Sequence, residues 1–260
     1  MARKDNDTVN RRSQILGLLD TTGQVSIVEL SKKFEVSEVT IRNDLEQMEA
    51  KNLLLRARGG AYKLEGSVRL DYSLAEKHKL NYSQKVAIGK KAAELIKSKE
   101  TILVDSGTTT VEIIKHLPKD LEITVITNAL NIASLLINHE NVETIIPGGQ
   151  LRRKSLSLVG PLAQNNLQSF FVDKVFIGCD GLEINHGFFT PNIDEAHVNQ
   201  VMIKNAKEVI LVADSSKFNK RSLNLVGLMS DIHILITDAG ISNSNKKKLE
   251  EMGVKVLIAD

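Results

Sequence analysis

The chain has a single cysteine, Cys179, among 260 residues. One thiol excludes an intrachain disulfide and suits a reducing compartment. Cys179 closes the strand-like run Val175-Phe176-Ile177-Gly178, where it reads as a buried structural thiol rather than a reactive one. Long apolar runs are missing too. The longest, such as residues 209–213, have strand length, far short of the roughly 20 residues that cross a bilayer, so no membrane partner is expected. The opening residues Met-Ala-Arg-Lys-Asp-Asn-Asp lack the apolar stretch of a secretory signal, and the expected location is cytoplasmic. The histidines, at 78, 116, 139, 186, 197 and 233, are scattered, and neither zinc-ligand spacing nor a CxxC occurs. No structural metal is therefore expected. No GxxxxGK[ST] stretch supports a P-loop nucleotidase, and no cofactor is expected.

Nor is there a large excess of charge: 34 Lys and Arg face 32 Asp and Glu, a net of +2. Residues 1–63 hold 11 basic and 9 acidic residues, and the remainder holds 23 of each, so the whole excess lies at the N-terminal end. It is small, and it nudges the reading toward a nucleic-acid partner. The length and the 42% hydrophobic content suit a small module followed by one α/β domain.

Ile15, Leu16, Leu18 and Leu19 place apolar groups on one face of a first helix, which Gly23 ends. Residues 26–34 form a short second helix with Ile27, Leu30 and Phe34 at helical spacing. Ser37 then caps a third, in which Ile41, Leu45 and Met48 face a core. That order is a helix-turn-helix. Its outward face carries Glu38, Thr40, Arg42 and Asn43. Arg42 suits a phosphate or a guanine edge, Asn43 suits adenine, and Thr40 suits a phosphate or a thymine methyl. The stretch 53–62 reads as two short strands around a basic tip, a wing on which Arg56 and Arg58 alternate. The polar residues 64–82 read as a linker, although Tyr72, Leu74 and Lys77-His78-Lys79 are able to dock on a neighbour.

From residue 83 on, apolar runs alternate with helical patterns. Strands are expected at 101–105, 123–127, 144–147, 175–179, 209–214, 232–238 and 254–259, and helices at 84–98, 109–117, 130–138, 194–206 and 245–252. The fold class is therefore α/β, with a mostly parallel sheet covered on both faces and a ligand crevice beyond the carboxyl ends of its strands. Polar residues collect at those ends: Asp105-Ser106-Gly107-Thr108-Thr109-Thr110, Thr127-Asn128, Gly148-Gly149 with Arg152 and Arg153, Asp180-Gly181, and Asp214-Ser215-Ser216-Lys217. Free N–H groups, hydroxyls and cations suit a phosphate, while carboxylates and amides suit sugar hydroxyls.

The stretch 36–45, followed by Arg58-Gly59-Gly60-Ala61, resembles the N-terminal signature of DeoR-type bacterial repressors. Many members have a second arginine where this chain has Asn43, whereas the N-acetylgalactosamine (amino-sugar) repressor branch has the same asparagine. The motifs at 105–110, 127–128, 148–153 and 214–218 are similar, in the same order, to the effector domain of that family, whose fold resembles ribose-5-phosphate isomerase and glucosamine-6-phosphate deaminase. Asp194-Glu195-Ala196 with Asn199 and Met202 fits the amino-sugar branch, although many other members carry a lysine where Asn199 stands. The resemblance implies three regions: a winged helix-turn-helix at 1–63, a linker at 64–82 and a sugar-phosphate-sensing domain at 83–260. It implies DNA contacts from Arg11, Arg12, Ser37, Thr40, Arg42, Asn43, Arg56, Arg58, Gly59 and Gly60. It implies effector contacts from Lys85, the loop 105–110, Thr127, Asn128, Gly148, Gly149, Arg152, Asp180, Gly181, Glu195, Asp214 and Lys217. The expected protein is a non-enzymatic repressor of a sugar-utilisation operon. It binds double-stranded operator DNA as a homodimer or homotetramer, under control of a sugar phosphate that includes amino-sugar phosphates among its candidates. The competing reading is a sugar-phosphate isomerase or deaminase with an appended DNA-binding module, using Asp180, Glu195 or Asp214 as acid–base carboxylate and Lys217 as phosphate anchor.

Overall fold

The computed structural model describes residues 2–50, 53–57, 59–62 and 71–260. They fall into two compact units, residues 1–70 and 71–260. The first unit runs α1 (Ala2–Thr22), β1 (Gln24–Ser26), α2 (Ile27–Phe34), α3 (Glu38–Glu49), β2 (Leu55–Ala57) and β3 (Gly60–Tyr62). Ile15, Leu19, Leu30, Ile41, Leu45, Met48 and Leu54 make its core, as the helical spacing implies. Glu35, in the left-handed region at φ 52°, turns the chain between α2 and α3 and returns its N–H to the Ser31 carbonyl. Ser37 caps α3 by accepting from the Thr40 N–H at 3.1 Å.

The expected two-stranded wing is part of a three-stranded sheet, ordered β1-β3-β2. Gly60 makes that third strand possible, because a Cβ there would lie 2.0 Å from the Val25 carbonyl oxygen. The buried Asp44 of α3 faces two consecutive arginines of α1, taking Arg11 Nε at 2.5 Å and Arg12 Nε at 2.7 Å. One carboxylate thus pins α1 to α3.

The second unit opens with α4 (Leu74–Lys79) and α5 (Tyr82–Ala93). The expected linker is therefore corrected in its second half, since residues 71–82 are built into this unit; residues 64–70 lie outside the described residues. The physical reason is polar rather than apolar. Ser73 and Glu76 form a reciprocal capping box, Lys77 pairs with Asp180, and Asp71 pairs with Arg152. A search for periodic apolar residues has no means of registering such contacts.

The chain continues β4 (Thr101–Val104), α6 (Thr108–Lys115), β5 (Ile123–Thr127), α7 (Leu130–Leu136), β6 (Val142–Ile145), a hairpin of β7 (Gln150–Arg152) and β8 (Ser157–Val159), α8 (Pro161–Leu167), β9 (Val172–Ile177), β10 (Gly181–Glu183), β11 (Gly187–Thr190), α9 (Ile193–Lys204), β12 (Ala206–Val212), β13 (Asn224–Gly227), β14 (Ile234–Asp238), α10 (Asn243–Glu251) and β15 (Lys255–Ala259). Each of the seven expected strands enters one parallel sheet, ordered β15-β14-β12-β9-β4-β5-β6. Its third expected strand starts two residues early, at Val142. The short pieces β10, β11 and β13 form a separate antiparallel sheet that the sequence reading missed.

Alternate residues along the central strands feed two cores. Ile102, Val104, Phe176, Ile210 and Val212 pack with Ile88, Ile113 and Ile132 of α5, α6 and α7. Leu103, Val175, Ile177, Val209 and Leu211 pack with Ala163, Met202 and Leu249 of α8, α9 and α10. Period-two alternation with both faces apolar is why these strands read as continuous hydrophobic runs. The strand order reverses direction between β4 and β9, where the crossovers leave the sheet on opposite sides and a crevice opens.

Replacing Asp44 by Ala is expected to cost about 3 kcal/mol, because two guanidiniums lose their counter-charge where water is largely excluded. Hydrogen exchange in α1 and α3 of the full chain reads the loss.

Candidate nucleic-acid interface and ligand cavity

On α3, Ile41, Asp44, Leu45 and Met48 are turned inward, which leaves Arg42 and Asn43 exposed on the opposite side. Thr40 is half-buried, and its hydroxyl lies 2.9 Å from that of Ser37, so the cap and its neighbour hold each other. Arg56 is exposed on β2, with its backbone N–H fixed by Glu49 Oε1 at 2.9 Å. Gly59 is exposed at the wing turn with φ 92°. Arg42, Asn43, Arg56 and Gly59 are thus all exposed on the helix and wing.

Three expected DNA contacts also serve the packing of the module. Arg11 and Arg12 direct their Nε groups to Asp44, and Arg11 also reaches Thr8 Oγ1 at 3.4 Å, which anchors α1. Gly60 is buried against β1. Arg58 lies outside the described residues.

In the second unit a cavity of about 60 Å³ opens at the reversal between β4 and β9. Asp105 closes β4 and bridges the crevice, accepting from the Gly178 N–H at 2.8 Å and the Gly107 N–H at 2.9 Å. Burial pushes the Asp105 carboxyl up, against these hydrogen bonds and that of Thr110. The turn at Gly107 then starts α6, whose first N–H groups have no partner within the helix. Ser106 and the buried Thr108 and Thr109 line the cavity beside them.

Cations gather opposite. Lys77, Lys85, Lys154 and Lys217 all line the cavity. Lys85 is buried and donates to the carbonyls of Lys77 and Leu80 at 2.5 and 2.7 Å, closing the end of α4. Burial, helped by repulsion from Lys217 and Lys77, lowers its pKa to about 8. Asp180 receives Lys77 Nζ at 2.6 Å and the Thr190 hydroxyl at 3.2 Å. Burial opposes its charge, but Lys77 and Lys217 outweigh that and hold its pKa below the ordinary carboxylate value. On α9, Glu195 and Asn199 are one turn apart and both line the cavity. Glu195 accepts from Arg152 Nη1 and from the Ser157 hydroxyl, each at 3.4 Å.

Of the expected effector residues, Lys85, Asp105, Ser106, Gly107, Thr108, Thr109, Asp180, Glu195 and Lys217 line this cavity. The others support it or stand apart. Thr110 is buried and donates to Asp105. The Thr127 hydroxyl donates to the Val104 carbonyl, and Asn128 donates to that of Leu158. Gly148 and Gly149 turn the chain at φ 76° and 128°, and a Cβ on Gly149 would lie 2.8 Å from the Val159 oxygen. Gly181 pairs β10 with β11. Asp214 caps a turn through the Ser216 N–H and receives Asn81. Arg152 stands behind Glu195, tied also to Asp71 and Ser155. Capping residues and binding residues share one vocabulary of Asp, Thr, Asn and Gly, so only the fold separates them.

Tyr72, Leu74, Lys77, Lys154, Ser155 and Thr190 line the cavity without having been assigned to it. The available signals for α4 were Tyr72, Leu74, the basic run 77–79 and the Ser73-x-x-Glu76 spacing of a capping box. Cys179 is half-buried on the cavity wall and packs against the core, and burial pushes its thiol up to about 12, which disfavours the thiolate.

The chemistry of the cavity is that of a binding site for an anion bearing hydroxyls. The carboxylates offered for acid–base work have other duties: Asp180 is neutralised by lysine, Glu195 is held by Arg152, and Asp214 caps a turn.

Residues 11–65 match the DeoR-like helix-turn-helix domain and residues 80–239 match the DeoR C terminal sensor domain. The chain belongs to the DeoR family. A relative in Escherichia coli O157:H7, named for transcriptional repression of the aga operon, is 38% identical over 96% of this chain and 94% of its own. The HTH-type transcriptional regulator YulB of Bacillus subtilis is 37% identical over 95% of each chain. Likeness to solved structures is looser, as with a ribose 5-phosphate isomerase A from Methanocaldococcus jannaschii at TM-score 0.40 and 19% identity, over 53% of this chain and 55% of that one. The relatives are regulators, and this DeoR protein is a transcriptional regulator rather than an enzyme. Among the described residues no helix is long and apolar enough to cross a membrane.

Lys85 predicts a pH dependence. Its folded-state pKa lies below the ordinary lysine value of 10.5, so between about pH 8 and 10.5 the unfolded chain holds a proton that the folded chain lacks. Stability gains a rising contribution over that window. Lys85→Met should flatten it, as read by urea denaturation at a series of pH values.

Proposed function

We propose that this DeoR regulator represses a sugar-utilisation operon in the cytoplasm and leaves its operator when a phosphorylated sugar enters the cavity. One observation carries the ligand class: Lys77, Lys85, Lys154 and Lys217 line the same cavity as the unpaired N–H groups and hydroxyls at the start of α6. Asp180, Glu195 and Asn199 complete a wall suited to sugar hydroxyls. Resemblance to the amino-sugar branch makes amino-sugar phosphates the first ligands to try. α3 is the helix that enters the major groove, with Arg42 and Asn43 toward base edges and Arg56 toward the backbone. One short helix covers few base pairs, so the working unit is a dimer or tetramer on symmetric half-sites. Release requires the ligand to bind the DNA-free state more tightly than the DNA-bound state.

A panel of hexose and amino-hexose 6-phosphates, screened by thermal shift, tests the ligand class. At least one should raise the midpoint, and Thr108→Val should weaken that ligand about 10- to 100-fold by removing a hydrogen bond to a charged group. No shift from any member counts against the sensor reading. Arg42→Ala should cost operator binding about 1–3 kcal/mol while leaving the ligand response intact, as measured by fluorescence anisotropy.

A further inference from the structure

The exposed face of α3 carries a carboxylate as well as Arg42 and Asn43. Glu38 stands in the first turn, and its Oε2 accepts from Arg42 Nη2 at 2.7 Å. The two side chains remain 44% and 52% exposed, so the pair lies on the surface and takes no part in the core. Elsewhere an i,i+4 pair of this kind needs no explanation. Here it occupies the part of a recognition helix that meets base edges, between two rows of phosphates.

A carboxylate brought there loses water and meets a negative field, so it costs binding unless donors replace the water. In the major groove the bases offer only two kinds of donor, the N4 amino group of cytosine and the N6 amino group of adenine. Arg42 supplies one donor to Oε2, and Oε1 has no partner among the described residues. The remaining guanidinium N–H groups of Arg42 are unengaged in the same way. The pair therefore presents an acceptor beside a fork of donors. That arrangement complements a cytosine amino group next to the O6 and N7 of a guanine. The ion pair also limits the rotamers of Arg42, which lowers the entropy cost of fixing its fork on DNA.

We infer that Glu38 is a specificity-determining residue that accepts from a cytosine N4 amino group within a step of the guanine read by Arg42. The inference rests on the reading of α3 as the helix in the groove. Because the carboxylate repels every phosphate backbone alike, it also weakens binding to sequences that lack the cytosine.

The test is selection from a randomised duplex pool with the full-length wild type, Glu38→Ala and Glu38→Gln, followed by affinities on single-base variants of the selected site and on random-sequence duplex. The wild type should fix a cytosine at one position of each half-site, and its replacement should weaken binding about 5- to 150-fold. Glu38→Ala should lose that preference alone and bind random duplex more tightly. Glu38→Gln should move the preference toward adenine, since an amide pairs with N6 and N7. A change by one common factor on every sequence, with the selected site unaltered, overturns the inference and leaves the pair a surface ion bridge. If the wild type enriches no sequence at all, the reading of α3 itself falls. Glu38 is exposed, so both variants should keep the wild-type thermal midpoint, and a lowered midpoint counts against a base-reading role.

Discussion

Asp105 stands where the parallel sheet changes direction. Strands β4 and β9 are neighbours, paired through Val104 and Phe176 and by the Asp105 N–H to the Phe176 carbonyl, yet beyond these ends the chain leaves them toward opposite edges of the sheet and calls for a further tie. The Asp105 carboxylate supplies it by taking the Gly178 N–H from one strand end and the Gly107 N–H from the other. Thr110 adds a third donor from inside α6. The α6 side of the cavity depends on this knot. It fixes the turn that starts α6, and although Asp105 is buried it still lines the cavity wall.

Around that knot the charges are balanced in pairs rather than left bare. Lys77 sits with Asp180, Arg152 with Asp71 and Glu195, and Lys85 on two carbonyls. Each pair reduces the penalty of holding ions in a nearly closed space. An anion entering there would have to compete with Asp180 for Lys77. The cavity walls come from α4, α6, α9 and the strand ends, and α4 is the first helix of the unit along the chain. Ligand chemistry and the position of the unit's leading segment are thus connected through Lys77 and Lys85.

The parallel sheet was legible because its strands are apolar on both faces and lie between amphipathic helices; the same logic located α3 from Ile41, Leu45 and Met48. What escaped was held together by polar contacts. α4 contains no buried residue, and its capping box, Lys77 and the Lys85 ammonium keep it in place. Short antiparallel pieces such as β10 and β11 are too brief to show a period. Of the loops named from the sequence, some line the cavity and others do not, and their duties within it were not legible. Thr108 and Thr110 are two residues apart and equally polar, yet one lines the cavity while the other props up Asp105. The anchoring duty of the Arg11-Arg12 pair was hidden for a related reason, since its buried partner Asp44 lies more than thirty residues away.

The Asp44 clamp also bears on how the regulator moves among DNA sequences. Two arginines and one aspartate leave a single positive charge where the sequence suggested two free ones. One fewer cation is then left to displace counterions from an arbitrary duplex, which makes the pull of bulk DNA shallower by that contribution. The less a protein lingers on unrelated sequence, the more it depends on its specific contacts. Its occupancy then follows the strength of the operator complex, the quantity that a small ligand is able to change.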